Sequence, residues 1–233
     1  GRGCLDASSL QLVVEADGSR RLPFVVMAVR GRVEYLDQET QQWKRLESGQ
    51  TLFEGTAIQT QAGTSLTLYS EGHGSLTAGA DTFFALGSAR RRGDRFDIDV
   101  ELRSGRIVAR VAPGDARFRI TTSRGEYSLA EGSSGSVASG SRGDEVAVAT
   151  GSFSAEMSDG SQRTLGQREA LRFVGSGESM ESAPLGDSAT AFAEIAVHVN
   201  TLGNAAGDGP TEMDLELERR RLQDLIWWGM NRL

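Results

Sequence analysis

Cysteine is nearly absent from this chain of 233 residues: Cys4 stands alone, so no disulfide can form within it. Lysine is as scarce, with Lys44 the single one against many arginines. There are two histidines, His73 and His198, in different regions and each beside glycine or apolar residues. A metal site needs clustered His, Cys or acids, and neither histidine has such neighbours in sequence. Nucleophilic catalysis needs a base beside a Ser or Cys. No G-x-S-x-G context is present; Gly132-Ser133-Ser134-Gly135 comes nearest, with the wrong spacing. The expectation is a chain that is not an enzyme and carries no cofactor and no metal. No apolar run approaches the roughly 18–20 residues that span a bilayer. The longest, from Leu22 to Val29, suits a buried strand. A net charge of −7 and a pI of about 5.0 disfavour a nucleic-acid partner.

Glycine, by contrast, is abundant at 29 residues, while proline numbers only 4, a balance that favours many turns over a disordered tract. The stretch Gly49–Gly72 sets the pattern: glycines at 49, 55, 63 and 72 separate short runs whose apolar residues fall at every second position. Leu66 and Leu68 alternating with Ser65, Thr67 and Tyr69 is the clearest case, a strand–turn–strand signal. Leu10, Leu12 and Val14 predict a strand, Asp17-Gly18 a tight turn, and Phe24–Val29 a central strand. Val33, Tyr35, Trp43 and Leu46 flank a polar hairpin tip at 37–42. Residues 89–94 read as a charged loop. Phe96, Ile98, Val100 and Leu102 alternate with Asp97, Asp99, Glu101 and Arg103, a strand with one face solvated, which Gly105 is expected to end. The glycine–serine run 131–145 taken alone resembles a linker, yet Val146, Val148, Phe153 and Met157 continue the strand pattern beyond it.

After residue 174 the texture changes. Residues 175–188 look like a polar linker, and 189–199 has helical apolar spacing. Residues 211–214 form a capping-box pattern that opens a helix running to Leu233, with Leu215, Leu222, Leu225, Ile226 and Leu233 on one stripe. Trp227 and Trp228 lie about 100° apart on such a helix, so one stripe cannot bury both. Tryptophan is enriched among interface anchors, and the candidate partner-binding residues are Leu222, Leu225, Ile226, Trp227 and Trp228. The competing reading folds the helix back on its own domain. Arg-Gly-Asp occurs at 92–94 and at 142–144, both at expected turns.

The glycine-spaced pattern Gly31-x-Val33, Trp43-x-x-Leu46-x-x-Gly49-x-x-Leu52-x-x-Gly55-x-x-Ile58-x-Thr60, then Ser65-x-x-Leu68 and Gly72, resembles the FecR family of bacterial envelope proteins. Val100-x-Leu102-x-x-Gly105-x-Ile107 and Phe118-x-Ile120-x-Thr122 continue the resemblance, which covers roughly 24–174. Gly132–Val137 stands where the family carries Gly-Thr-x-Phe-x-Val, with Gly135 replacing a core aromatic. The resemblance implies an all-β fold, a glycine-turn-rich short-strand β-sandwich or short β-solenoid, followed here by the C-terminal helix. The expected organisation is an N-terminal segment 1–23 with one strand, a β-domain 24–174 with candidate halves 24–88 and 95–174, a linker 175–210 and the helix 211–233. It also implies a periplasmic or other cell-envelope location. Gly3-Cys4 resembles the end of a lipoprotein signal, so Cys4 is a lipidation candidate and the one route to a membrane; the alternative is a free thiol. The leading functional expectation is a scaffold or adaptor that binds other envelope proteins or copies of itself. The alternatives are a FecR-type sensor regulating an extracytoplasmic-function sigma factor, and a peptidoglycan or carbohydrate binder using Tyr35, Trp43 and Tyr69.

Overall fold

A computed structural model of the chain describes residue 15 and residues 18–70, 74–114, 116–174 and 179–182, with Val174 and the last four by backbone alone. The described part is all-β. Its strands are Arg20–Arg21 (β1), Phe24–Arg30 (β2), Val33–Leu36 (β3), Trp43–Arg45 (β4), Thr51–Leu52 (β5) and Ala57–Thr60 (β6). Ser65–Ser70 (β7), Gly74–Ala78 (β8), Phe83–Arg92 (β9), Arg95–Val111 (β10), Ala116–Thr121 (β11) and Gly125–Leu129 (β12) follow. The series ends with Ser134–Gly140 (β13), Gly143–Thr150 (β14), Phe153–Met157 (β15), Gln162–Leu165 (β16), Ala170–Val174 (β17) and Ser179–Ser182 (β18).

The strands form two sheets. Sheet A runs β4-β3-β6-β9-β10-β11-β12-β15-β16, with β1 continuing the β9 edge past β6; only β10–β11 is parallel. Sheet B runs β5-β2-β7-β8-β10-β13-β14-β17-β18, antiparallel throughout. Strand β10 belongs to both: residues 95–104 pair in sheet A and 105–111 in sheet B. The expected end at Gly105 is therefore corrected, since the strand passes through it. Gly105 has φ +91, and a Cβ there would lie 2.4 Å from the Thr82 Cα. Glycine thus lets the strand swivel from one sheet into the other without losing its hydrogen bonds. The Arg106 amide continues the ladder by donating to Thr82 Oγ1 at 3.0 Å.

Alternation decides which residues face inward. Ile58, Phe84 and Leu102 line up across sheet A, and Leu66, Ala78, Ile107, Val137 and Val146 across sheet B. All belong to one buried apolar cluster shared by the two sheets. Each fully buried Val, Leu, Ile or Phe among them contributes about 1.5–3 kcal/mol. The 89–94 loop expectation is also corrected: β9 carries hydrogen bonding to Arg92, and only a tight turn at Gly93, φ +59, remains. The glycine–serine run is a strand pair rather than a linker: Ser134, Ser136 and Ser139 are buried in it, and Ser134 and Thr150 share a hydroxyl hydrogen bond at 2.8 Å. Gly135 leaves no hole where the resembling family has an aromatic. The Phe153 ring fills that space, its Cζ 2.9 Å from where a Cβ would stand.

Candidate interaction site

Among the described residues β4 is one edge strand of sheet A and β16 the other, and the turn before β4 is held by one carboxylate. Asp37 Oδ1 accepts from the amides of Glu39 (3.1 Å) and Thr40 (2.8 Å) and from Thr40 Oγ1 (2.9 Å). Asp37 Oδ2 accepts from Lys44 Nζ at 2.5 Å, so the single lysine is committed to this turn. Lys44 first, then the Thr40 amide, hold the Asp37 carboxyl far below the usual carboxylate range, and Asp37 in turn raises Lys44. Local hydrogen bonding of this kind is why Asp favours turns. The turn fixes the residue beside Lys44, which is Trp43, on the opposite face of the strand.

Trp43 is 41% exposed, one of two large exposed apolar side chains among the described residues; Phe53, at 51%, is the other. The Trp43 ring meets Phe83 edge-on, centroids 6.2 Å apart. The Arg103 guanidinium lies over the far partner, 5.4 Å from the Phe83 centroid, and its Nε donates to Glu101. A tryptophan and an arginine brought together on a solvated sheet face have the composition of an interface hot spot. Sequence reasoning singled out Trp43 but missed Phe83 and Arg103. No local pattern joins positions that far apart; only the β3–β6–β9–β10 order does.

The three aromatics proposed for a sugar platform do not share a face. Tyr35 pairs with Ile58 and Lys44 on the side of β3 away from Trp43, and Tyr69 belongs to sheet B.

The two Arg-Gly-Asp tripeptides part company. Residues 92–94 sit exposed at the β9–β10 turn, where arginines face one another across strands: Arg20 with Arg91, Arg21 with Arg90, Arg92 with Arg95. Neighbouring acids offset them, with Arg90–Glu54 at 3.6 Å, Arg91–Asp94 at 3.7 Å and Arg95–Asp97 at 3.4 Å. In the second tripeptide Asp144 is fully buried. Its Oδ2 accepts from Thr122 Oγ1 (2.5 Å) and the Tyr127 hydroxyl (2.8 Å), and its Oδ1 from Ser139 Oγ (2.8 Å) and Arg124 Nη1 (3.3 Å). Burial, then the adjacent carboxylate, pushes the Tyr127 phenol upward, so it stays a donor. With donors on both oxygens, Asp144 has the bonding of a structural clamp between the sheets rather than of a proton acceptor.

The outer face of sheet B is unlike that of sheet A. Thr67, Thr77, Val108, Ser136, Ala147 and Ala170 lie in one row across it, opposite in alternation to the core residues. Every one is 7% exposed or less, and Ala147 with Ala170 forms a cluster apart from the main core.

Among the described residues no group of three or more His, Cys, Asp or Glu is placed to hold a metal ion, and no helix is long and apolar enough to cross a membrane. The sequence candidates Cys4, Leu222, Leu225, Ile226, Trp227 and Trp228 lie outside the described residues, as do His73, His198, the 10–14 strand and the two expected helices. No family model and no curated protein matches the chain. Two crystal structures of a "putative anti-sigma factor" from Parabacteroides distasonis ATCC 8503, at 1.65 Å and 2.50 Å, are similar to it in backbone. Identities are 15% and 16%, and TM-scores 0.47 and 0.45. Each alignment covers 55% of this chain and 59% of the other, so this chain spans under two thirds of the length of these structures. Likeness at this level carries no argument about activity.

Proposed function

We propose that this chain is a non-enzymatic, exported protein-interaction module of FecR-like type, serving as a scaffold or adaptor in a bacterial envelope assembly. The observation that supports it is the Trp43–Phe83–Arg103 cluster, an amphipathic aromatic and a cation held on a rigid sheet at the edge that β4 forms among the described residues. A flat face of this kind suits another protein better than a small molecule, which is ordinarily taken up in a concave, mostly apolar pocket. The partner is another envelope protein or a second copy of this chain, and Cys4 is the candidate lipid tether.

The test is photo-cross-linking in intact cells with the probe at Trp43, followed by mass spectrometry, alongside Trp43→Ala. Cross-links to an envelope assembly, together with loss of that assembly from what co-purifies with the alanine variant, are the expected result. Truncation at residue 210 is expected to weaken the same complex, because one of Trp227 and Trp228 remains for the partner. Cross-links instead to a receptor or a membrane signalling protein would replace this reading with the sigma-factor sensor. An absence of cross-links, with Trp43→Ala co-purifying normally, would refute the cluster as an interface.

A further inference from the structure

The row Thr67, Thr77, Val108, Ser136, Ala147 and Ala170 presents a contradiction that a cover resolves. These side chains point away from the core, yet Val108 is 0% and Ser136 3% exposed. A valine on the outer face of a sheet, flanked by threonine and serine, remains in contact with water unless something lies on it. No described strand occupies that side of sheet B, since every one of them pairs within sheet A or sheet B. Burial also lowers the Arg110 guanidinium from its ordinary value, and Arg30 Nη1 is shut off from solvent.

We propose that the amphipathic helix 211–233 of the same chain lies in this trough and seats Leu215, Leu222, Leu225 and Ile226 against the small side chains. Three observations select this occupant. The first is chain geometry: the described part ends at Ser182, on the edge of sheet B beside β17. From β17 to β7 the sheet is about 24 Å wide at ~4.8 Å per strand, and a 23-residue helix is about 35 Å long. Residues 183–210 supply far more reach than the approach requires. The second is shape. Thr, Val, Ser and Ala leave a shallow floor between taller flanks, with Tyr69 and Arg110 on one side and Arg106, Glu145 and Arg172 on the other, and leucines fill such a floor. The third is charge. Among the described residues this face carries Arg30, Arg106, Arg110 and Arg172 against two acids, Glu181 in register with Arg172 and Glu145, which already binds Arg106 (3.4 Å) and Arg172 (3.1 Å). The first turns of the helix carry Glu212, Asp214, Glu216 and Glu218. With the leucine stripe inward, one of the adjacent tryptophans stays outward, so the helix covers its own sheet and still offers an anchor. The proposal does not depend on the Trp43 reading.

The experiment is thiol labelling of the full-length chain with Cys4→Ser and a single reporter cysteine. Ser136→Cys reports on the trough, Thr77→Cys repeats the measurement should the first fold poorly, and Ser154→Cys, outward on sheet A, is the open reference. The trough thiols are expected to label at least about tenfold more slowly than the reference at every protein concentration, since they react only through local opening. Leu222→Asp, Leu225→Asp and Ile226→Asp together are expected to bring them to the reference rate. Labelling at the reference rate in the dilute full chain would overturn the proposal. So would protection that grows with protein concentration, which assigns the cover to a second copy. Protection unchanged by the three aspartates would assign it to another segment and overturn it equally.

Discussion

Sheets A and B are built from neighbouring strands of one chain, share β10, and face one core, yet their outer faces obey opposite chemistry. Sheet A turns Asp97, Asp99, Glu101, Arg103, Arg117 and Arg119 outward, and Arg119 bridges Asp99 (2.7 Å) and Glu126 (3.2 Å). Sheet B turns outward a row with no charge in it, and that row is buried. The difference shows in the letters of the strands. RFDIDVELR alternates apolar with charged, the mark of one wet face, whereas SLTLYS, GSLTA and EVAVAT carry almost no charge, the mark of strands covered on both sides.

The most severe test of that contrast is a matched pair of new charges. Val108→Asp is expected to cost about 4 kcal/mol, because it strands a carboxylate where water is excluded, and Ser154→Asp within about 0.5 kcal/mol. Urea midpoints of the two variants measure the gap, and equal losses would erase the distinction between the faces. Next is the clamp that joins the sheets. Asp144→Ala removes the acceptor shared by Thr122, Tyr127, Ser139 and Arg124 and is expected to cost about 3 kcal/mol, while Tyr127→Phe costs about 1 kcal/mol. Denaturant unfolding followed by the fluorescence of Trp43 reads both, against a background without Trp227 and Trp228.

Acid sharpens the comparison on sheet A alone. Asp37, paired first with Lys44, and Glu34, hydrogen-bonded first by Arg32 and then by Gln59, titrate lower folded than unfolded. Their stabilisation is complete at neutral pH, above the unfolded value of about 4, and is lost as pH falls toward the depressed folded values. The melting temperature is expected to drop below about pH 4, and Asp37→Asn is expected to flatten that drop. The smallest effect belongs to the outer ion ladder. Arg119→Ala is expected to change stability by about 0.5 kcal/mol or less and to lose even that in high salt, as exposed pairs do.

Alternation and glycine spacing made the all-β fold readable before any coordinates. Leu66 and Leu68, Phe96 through Leu102, and the Trp43 hairpin all fall on the expected elements. Gly105 reads as a stop because a glycine in a strand signals a break whether or not hydrogen bonding continues past it. The site was harder to see. Trp43 stood out by type, but Phe83 and Arg103 meet it only across strands that pair at long range. Asp144 looked like part of an exposed turn motif because burial depends on which neighbours close over a residue, here Thr122 and Tyr127.

The amino-acid order by itself determined the period of two, the turns and the inward set, because side-chain direction along a strand is a local property of the backbone. Tertiary structure alone decided that β10 serves both sheets, that Phe153 fills the place of a side chain at Gly135, that Trp43 rests on Phe83, and that one Arg-Gly-Asp displays its aspartate while the other buries it. Each of these depends on pairing between distant segments. A strand carries no local record of which partner it will find.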